Sequence, residues 1–393
     1  MLSPGEQDFI QAHVDQDPHQ IALSGKKYPT FDLIKLANQI QARQKLASKL
    51  PSWLTVSSLF FPPSISLEQA SSEATATFKA NLVQGHLLDA SGGMGVDSAA
   101  FSKKAKQVIY VERLLELKEI AAYNHAQLGL TNIQHVHGDG LEALKQSPFV
   151  FDFIYLDPAR RNAKGDKVLL FKDCEPNVLN FLPFVNEKTQ LIIKTSPLLD
   201  LERAISELQG VDKIWVVCLK NEVKELLFLK STKATLHPPI EVIELNQQPS
   251  LLFTSDLPSE KNSQIQTADL GQYLFEPHPG ILKAGFFKSI QSLGFHKISA
   301  NTHLYTSNHP NDQAPGKTYR VLAKGPFERK WILAQIPGKQ AHIHTRNFPL
   351  KPEEIRKKLT LKDGGSVHLF AYQNHLQKME IAITEKCDIS RDF

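Results

Sequence analysis

Between residues 86 and 230, short apolar runs alternate with longer stretches in which apolar residues recur at helical spacing. The predicted strands are His86–Asp89, Val108–Val111, Ile133–His137, Phe151–Leu156, Leu191–Lys194, Ile214–Leu219 and Leu226–Leu229. The predicted helices between the first six strands are Val96–Ser102, Leu114–Leu128, Leu141–Lys145, Val178–Val185 and Leu199–Leu208. Strands that alternate with helices indicate parallel strands joined by crossover helices, so we expect an α/β fold with a doubly wound sheet.

The last two predicted strands of this region are separated only by residues 220–225. This connection is too short for a crossover helix, which a parallel pair would require. We therefore expect an antiparallel hairpin at one edge of the sheet, with six strands followed by an inserted seventh.

The segment before the sheet is predicted to be helical. Apolar residues recur at helical spacing from Phe31 to Ile40 and continue to Trp53, and Pro62-Pro63 ends the pattern over residues 1–66. A short helix over 67–80 is expected to follow, with Ser66 as its N-cap.

Beyond residue 235 several prolines interrupt a polar region that resembles a linker, followed by a small mixed unit. That unit is predicted to contain a helix near Ile281–Leu293, a strand near Lys297 and a loop over 308–316. The final segment predicts strand Lys330–Gln335, strand Gln340–Thr345, helix Pro352–Leu359, strand Val367–Tyr372 and strand Lys378–Thr384. The chain is thus divided into a helical region 1–66, an α/β domain 67–234, a linker with a small module 235–329, and an α+β module 330–393.

The composition is that of an ordinary folded protein, with 41% hydrophobic and 22% charged residues among 393. The sequence has no uninterrupted apolar run of about 18 residues, and its N-terminus lacks a signal-peptide pattern, so no membrane association is expected. Three cysteines, none in a C-x-x-C pair, argue against a zinc ribbon and a disulfide framework. A reducing cytoplasm fits this cysteine usage best.

The positive charge is concentrated near the C-terminus. Residues 330–393 contain 11 Lys and Arg against 7 Asp and Glu, a surplus that equals the net charge of +4 of the whole chain. A neutral body with a basic tail places any nucleic-acid contact C-terminally, although ordinary surface charge explains the same numbers.

The segment 87–97 contains the first candidate chemistry, because an apolar strand there ends in Asp89 and a glycine-rich turn opens a helix. Such a turn lets backbone amides approach a ligand closely. A dinucleotide fingerprint fails, since Gly93 and Gly95 are followed by Ser98 where a third glycine is required. A carboxylate before the glycines would repel a pyrophosphate and suits a cationic or zwitterionic ligand.

Two further carboxylates follow the next predicted strands. Glu112 ends the second strand, 23 residues after Asp89, and Asp139 follows the third. Glu112 is placed to accept the hydroxyls of a ribose, or is a surface residue that begins a helix. Asp139 is placed to accept an adenine amino group, or is a helix N-cap. Three carboxylates at the ends of consecutive parallel strands favour a ligand site, because ligands bind at that edge.

The fourth strand leads into Asp157-Pro158, followed by Arg160 and Arg161. The Asp-Pro step fixes a turn at the expected ligand edge, and paired arginines match phosphate groups. A turn with two solvated arginines is the alternative interpretation.

These motifs together resemble motifs I to IV of the class I S-adenosylmethionine-dependent methyltransferases. The upstream segment 68–73 and the C-terminal segment 346–350 narrow the resemblance to bacterial methyltransferases with a ferredoxin-like module and a THUMP-like C-terminal domain. The resemblance implies S-adenosylmethionine as cofactor and RNA as substrate, since THUMP-related domains bind RNA. It implies that the cofactor is bound by Asp89, Ser91, Gly92, Gly93, Gly95, Glu112, Arg113, Asp139, Gly140 and Asp157.

By the same resemblance Asp157 faces the transferred methyl group, with Arg160 as its catalytic partner. The substrate would be bound by Arg160, Arg161, Arg356, Lys357 and Lys358. For the last three, a solvated helix face is the alternative to an RNA-binding role.

The motif departs from the family pattern after Asp157. Many amino-group methyltransferases have a second proline and an aromatic residue where this chain has Ala159 and Arg160, so an exocyclic amine is not indicated as the target. Methylation at carbon 5 of a pyrimidine would need a cysteine nucleophile. Cys174 and Cys218 are both expected to be structural.

Three histidines give weaker indications of a functional site. His278 is interpreted as a loop histidine, and His342 and His344 alternate on a strand without nearby cysteines or paired carboxylates, so no metal site is expected. Two alternatives to an RNA methyltransferase stay open: a methyltransferase of a protein or small molecule, and a nonenzymatic RNA-binding protein with a degenerate cofactor fold.

Overall fold

The computed structural model describes residues 1–62, 64–159 and 170–387. Its backbone contacts divide the chain into two compact units. The first unit comprises residues 1–214 and 226–236, and the second comprises 215–225 and 237–393.

The first unit begins with helices, as predicted. These are α1 Pro4–His13, α2 Pro18–Ala22, α3 Leu33–Leu46, a 3-10 turn Trp53–Thr55, α4 Ser64–Gln69 and α5 Glu73–Ala80. The predicted single helix over 67–80 is wrong, because the chain forms two helices there. Ser72 is the N-cap of α5, where its hydroxyl accepts a hydrogen bond from the Thr75 amide.

Five parallel strands form the core of this unit. They are β1 His86–Asp89, β2 Gln107–Glu112, β3 Ile133–His137, β4 Phe153–Leu156 and β5 Gln190–Thr195. The connecting helices are α6 Val96–Phe101, α7 Leu115–Gln127, α8 Gly140–Gln146 and α9 Leu201–Glu207, with 3-10 segments Phe171–Asp173 and Val178–Phe184. The strand order β3-β2-β1-β4-β5 reverses direction after β1, as in a doubly wound sheet, so this prediction is confirmed.

The predicted hairpin is also present, as β6 Lys213–Leu219 and β7 Glu222–Lys230 joined by a two-residue turn, but its expected position at an edge of the sheet is wrong, because the strand order continues beyond β6. Strand β7 pairs antiparallel with β5, from Leu191 opposite Lys230 to Thr195 opposite Leu226, so the seventh strand is inserted beside the fifth. The turn residues Lys220 and Asn221 have φ values of 54° and 60°. Two positive φ values match the right-handed twist of a two-residue hairpin turn.

The predicted linker after residue 235 is wrong, because this segment of the second unit is ordered. Strands β8 Ile240–Leu245 and β9 Pro249–Ser255 pair antiparallel, with residues 246–248 as their turn, and α10 Leu257–Asn262 follows. Glu244 is fully buried within β8. A buried carboxylate inside a strand breaks the apolar pattern, which explains why the sequence did not reveal this strand.

A seven-stranded sheet forms the rest of the second unit. Its strands are β10 Tyr273–Pro277, β11 His296–Lys297, β12 Tyr305–Ser307, β13 Gly316–Pro326, β14 His342–Arg346, β15 Val367–Gln373 and β16 Met379–Lys386. The remaining helical elements are α11 Pro279–Ala284, a 3-10 segment Ser289–Leu293, α12 Arg329–Gln335 and α13 Pro352–Leu359. The strand order is β11-β12-β10-β13-β16-β15-β14, and β14 and β15 are parallel.

Two predictions for this unit need correction. Residues 330–335 were expected as a strand but form α12. Ile332 of α12 and Ile336, which follows it, pack in a hydrophobic cluster with residues of α13. The helix expected over 281–293 ends at Gly285, which has a φ of 79° and caps α11. No helix in the part of the chain that the structure describes is long and apolar enough to cross a bilayer.

The turn between β6 and β7 makes a stability prediction. Lys220 holds a left-handed conformation that costs a residue with a Cβ about 1 kcal/mol. We expect Lys220→Gly to raise the free energy of unfolding by about 1 kcal/mol in urea denaturation. The control Glu222→Gly places glycine in the strand itself and is expected to lower the free energy of unfolding. Equal effects of the two variants would contradict the left-handed conformation of Lys220.

Candidate functional site

Four carboxylates lie at one edge of the parallel sheet. Asp89 and Glu112 are the last residues of β1 and β2, Asp139 comes two residues after β3, and Asp157 directly follows β4. Because these four strands are parallel neighbours, their carboxyl ends meet at the same edge. The four carboxylates therefore lie at the edge where the sequence predicts a ligand site.

The glycine-rich turn lies close against β2. The Gly92 amide donates to the carbonyl of Val111 at 2.9 Å, and the Gly93 amide donates to Oε2 of Glu112 at 2.8 Å. A Cβ on Gly92 would lie 2.2 Å from the ring of Tyr110, so no other residue fits there. Gly93 and Gly95 have φ values of 52° and 81°, which favour glycine.

Asp89 is the most buried of the four carboxylates, with 1% of its surface exposed. It accepts hydrogen bonds from the Ser98 hydroxyl at 2.6 Å and from the Ser91 amide at 3.2 Å. Burial raises the pKa of Asp89 to about 7, and it outweighs the hydrogen bond from Ser98, which acts in the opposite direction. Ser98, which stands where a dinucleotide fingerprint requires glycine, thus orients the Asp89 carboxylate through its hydroxyl.

Glu112 holds the turn and the start of the next helix together. Its Oε1 accepts from the Leu114 amide at 2.9 Å, while Oε2 accepts from Gly93. Arg113 is half-exposed and forms an ion pair with Glu175, and its carbonyl contacts the His137 ring at 3.0 Å. Glu112 is thereby fixed at the edge, with its carboxylate partly open to solvent.

Asp139 is the N-cap of α8, so the alternative role considered from the sequence is present. Its Oδ1 accepts from the amides of Leu141 at 2.9 Å and Glu142 at 3.2 Å. Oδ2 receives no hydrogen bond from the residues that the structure describes, which leaves this atom for a ligand. A Cβ on Gly140 would lie 2.4 Å from the Ala90 carbonyl, so this turn packs tightly behind β1.

Asp157 is held from both sides. Its amide donates to the Ser91 hydroxyl at 2.6 Å, and its Oδ2 pairs with the Lys194 ammonium at 2.5 Å. Lys194 lies near the end of β5, and its Nζ is also 4.0 Å from Oδ2 of Asp97. The orientation of Asp157 is therefore fixed by the next strand of the sheet.

Asp97 is the centre of a buried network that sequence reasoning missed. It lies 3.1 Å from the ammonium of Lys79 and accepts from the hydroxyls of Tyr155 at 2.7 Å and Ser71 at 2.9 Å. Burial alone would raise the pKa of Asp97, but the charges of Lys79 and Lys194, together with the hydrogen bonds from Tyr155 and Ser71, outweigh burial and lower it. We call Ser71, Lys79, Asp97, Tyr155 and Lys194 the Asp97 network.

The sequence did contain a trace of this network. Lys194 interrupts an otherwise apolar strand, and Lys79 lies on a short helix with none of its surface exposed. A fully buried lysine requires an acidic partner. The partner could not be identified from spacing, because Asp97 lies 18 residues from Lys79 and 97 from Lys194 along the chain.

The structure describes three of the five residues that the sequence predicts to bind the substrate. Arg160 and Arg161 lie outside the described residues. Arg356, Lys357 and Lys358 lie on α13 of the second unit, where Arg356 forms an ion pair with Asp363 at 2.7 Å.

His278 has a structural role in the second unit. It is buried as the N-cap of α11, where Nδ1 accepts from the Gly280 amide at 3.1 Å and Nε2 lies 3.2 Å from Oε2 of Glu244. The buried Cys218 thiol completes a group of three possible metal ligands within 4.8 Å. However, an imidazole that accepts at Nδ1 carries its proton at Nε2, so the nitrogen facing Glu244 has no lone pair for a metal.

The opposite pKa shifts of Asp89 and Asp97 make a testable prediction. The folded protein retains a proton on Asp89 up to about pH 7, whereas the unfolded chain loses it at about pH 4. The free energy of unfolding of the parent therefore falls as the pH rises from about 4 to about 7. We expect Asp89→Asn to gain stability relative to the parent over this window, by at most about 1.4 kcal/mol per pH unit.

Asp97→Asn serves as the matched control. Because Asp97 is ionised and paired with a buried lysine, its loss is expected to cost about 3 kcal/mol at pH 7. Urea denaturation at several pH values measures both variants, and a stability difference for Asp89→Asn that does not change with pH would contradict the assignment.

Two known proteins are similar to this chain. Over 98% of both chains, this protein is 32% identical to a solved structure described as a candidate methyltransferase from Porphyromonas gingivalis W83, with a TM-score of 0.85. It is also 34% identical over 97 residues to an uncharacterized RNA methyltransferase of Mycoplasma mobile. That match spans 25% of this chain and about a quarter, 27%, of the relative.

Two family models match the second unit. A ferredoxin-like domain matches residues 273–315, which begin with β10, and a THUMP-like domain matches residues 316–386, which run from β13 to β16. Together with the full-length likeness, these matches show that the chain belongs to the methyltransferase family of the Porphyromonas gingivalis protein, with a ferredoxin-like and a THUMP-like domain in its C-terminal part.

Proposed function

We propose that this protein is an S-adenosylmethionine-dependent methyltransferase that acts on RNA. The observation that carries the proposal is the set of four carboxylates at the ends of four neighbouring parallel strands, beside a glycine-rich turn. The methyltransferase name of the full-length relative supports the reaction class. The name of the Mycoplasma mobile relative and the THUMP-like domain support RNA as the substrate.

The carboxylates of the site match the hydrogen-bond donors of the cofactor one by one. When bound, S-adenosylmethionine supplies an electrophilic methyl group on a sulfonium. Asp89, buried and close to neutral in the free protein, is suited to accept from the cationic amino group of the methionine part. Glu112 is suited to accept the ribose hydroxyls, and Oδ2 of Asp139 the adenine amino group.

The remaining predicted residues complete this assignment. Ser91, Gly92, Gly93 and Gly95 form the turn that would border the methionine part, while Arg113 and Gly140 follow Glu112 and Asp139 at the adenosine side. A dinucleotide would place a pyrophosphate against the glycine-rich turn, where the Glu112 carboxylate accepts from the Gly93 amide and would repel it. The charge of the site therefore favours a cationic ligand over a nicotinamide cofactor.

Asp157 is proposed to orient the methyl acceptor. Lys194 and Ser91 hold its carboxylate and its backbone in place. Oδ1 accepts no hydrogen bond from the described residues and is proposed to accept a hydrogen bond or a proton from the acceptor. Rate acceleration then depends on holding the acceptor in line with the methyl group. Arg160 and Arg161, in the segment that follows Asp157, are proposed to bind a phosphate of the substrate.

Calorimetric titration with S-adenosylmethionine tests the cofactor site. A cationic ligand prefers ionised Asp89, and the pKa of this carboxyl in the free protein is about 7. We expect the affinity to fall below pH 7, by up to about tenfold per pH unit, and Asp89→Asn to bind weakly at every pH. NAD is the control ligand. Tight binding by Asp89→Asn, or equal affinity at pH 5.5 and 8, would contradict the assignment of Asp89.

Transfer of labelled methyl groups to bulk RNA tests the role of Asp157. Both Asp157→Asn and Lys194→Met are expected to lower the turnover on the order of 100-fold and to leave cofactor affinity within about threefold. Lys194→Arg, which keeps the ion pair, is expected to recover part of the activity. Full turnover by Asp157→Asn would reject the role.

The control for Lys194→Met is Lys230→Met. Lys230 donates to the Gly210 carbonyl at 2.9 Å and belongs to the same unit, so it reports the general cost of removing a lysine. If Lys230→Met lost as much turnover as Lys194→Met, the ion pair with Asp157 would not be the cause.

A further inference from the structure

A row of ring side chains crosses two neighbouring strands of the second unit. Strands β14 and β15 pair so that His342 lies opposite His368 and His344 lies opposite Phe370. Residues directly opposite in a sheet point to the same face. The rings form a continuous series, which we call the histidine row: His342, His368, His344 and Phe370.

The rings of the histidine row contact one another closely. The His342 and His368 centroids are 4.9 Å apart, His368 and His344 are 5.3 Å apart at 22°, and His344 and Phe370 are 4.4 Å apart at 11°. Nε2 of His344 and Nδ1 of His368 are 3.0 Å apart, which is a hydrogen bond between the two imidazoles. The three histidines are therefore packed in direct contact with one another along the two strands.

The histidine row leads from the core to solvent. Phe370 is fully buried, His344 and His368 are partly exposed, and 42% of the His342 side chain is exposed. The alternate residues Ile343 and Leu369 point to the other face and pack in the hydrophobic cluster of α12 and α13. The histidine row thus lies on the face opposite these two helices.

His344 and His368 are uncharged at neutral pH. Burial lowers the pKa of both to about 4, and the charge of Lys317 lowers it further, as does the charge of Arg346 for His344. Among the charged groups that face them, Asp363 and Glu276 act in the opposite direction but are outweighed. Neutral imidazole rings can stack on nucleobases without the cost of desolvating a cation.

Two cations border the histidine row. Arg346 continues β14 beyond His344, with 41% of its side chain exposed, and is held in place by an ion pair with Glu276. Lys317, near the start of β13, is exposed. Flat rings with flanking cations are the combination by which sheet surfaces bind single-stranded nucleic acid: bases stack on rings and phosphates pair with cations.

The basic helix α13, predicted from the sequence to bind RNA, is the weaker candidate for an RNA-binding site. Arg356 of α13 is committed to Asp363, and Glu353 and Glu354 lie in the first turn of the same helix as Lys357 and Lys358. The positive charge of α13 is thereby largely offset.

We propose that the histidine row, with Arg346 and Lys317, is a binding site for single-stranded RNA in which bases stack on His342 and His368. The proposal rests on the proposed function for its choice of RNA, and it assigns RNA binding to this sheet face instead of α13.

Fluorescence anisotropy with a labelled single-stranded RNA of mixed sequence tests the site in the full-length protein. The double variant His342→Ala/His368→Ala is expected to bind about tenfold or more weakly, because stacking on one aromatic ring contributes about 1–3 kcal/mol per base. The matched control His296→Ala/His309→Ala removes two exposed histidines elsewhere in the second unit and is expected to bind like the parent. Thermal unfolding and S-adenosylmethionine titration show whether each variant is folded.

A second pair of variants separates stacking from other roles of the imidazoles. His342→Phe/His368→Phe keeps flat rings but cannot hydrogen-bond or bind a metal, and is expected to retain RNA affinity within about threefold of the parent. Equal binding by the alanine variant and the parent would overturn the proposal, as would a phenylalanine variant as weak as the alanine variant.

Three outcomes separate this site from the alternatives. A larger loss with Lys357→Ala/Lys358→Ala than with the alanine variant of the histidine row would return RNA binding to α13 and overturn the proposal. If the parent protein binds no RNA, RNA as the substrate fails together with this site. If the parent binds RNA and the alanine variant binds equally well, only this site fails.

Discussion

The buried ion pairs of Asp97 are the interaction on which the candidate site depends. Asp97 belongs to α6, directly after the glycine-rich turn, and contacts Lys79 of α5, Tyr155 of β4 and Lys194 of β5. These contacts tie the turn to two strands and a helix at once. Because Lys194 also pairs with Asp157, the same network sets the position of the carboxylate proposed to face the methyl acceptor.

Asp89 and Asp97 show how surroundings give one residue type two roles. Both are buried, but Asp97 has two lysine partners and stays ionised, whereas Asp89 has hydroxyl and amide donors alone among its described hydrogen bonds and is close to neutral. A structural carboxylate must be neutralised within the protein. A carboxylate that binds a cationic ligand needs no cation from the protein, because the ligand itself supplies the compensating positive charge.

The periodicity of the sequence predicted the parallel sheet with its inserted seventh strand, and β1 and β3 to the residue. Such strands are buried on both faces and read as apolar runs, so local pattern suffices. It failed where a strand carries a buried charge, as with Glu244 in β8, and where apolar residues of a helix were read as a strand, as in α12. The sequence could place the four carboxylates of the candidate site at one edge, because each ends a predicted strand or follows it within two residues.

The sequence by itself therefore determined the sheet, its edge and the acidic residues along that edge, because strand ends are local features and parallel strands bring them together. Only the tertiary structure decided which carboxylate is neutralised and which is not, since Lys79, Asp97 and Lys194 are distant in sequence. It also decided that His342, His344 and His368 share one face, because that depends on the register between β14 and β15. Register and burial arise from packing between elements, and no local pattern encodes them.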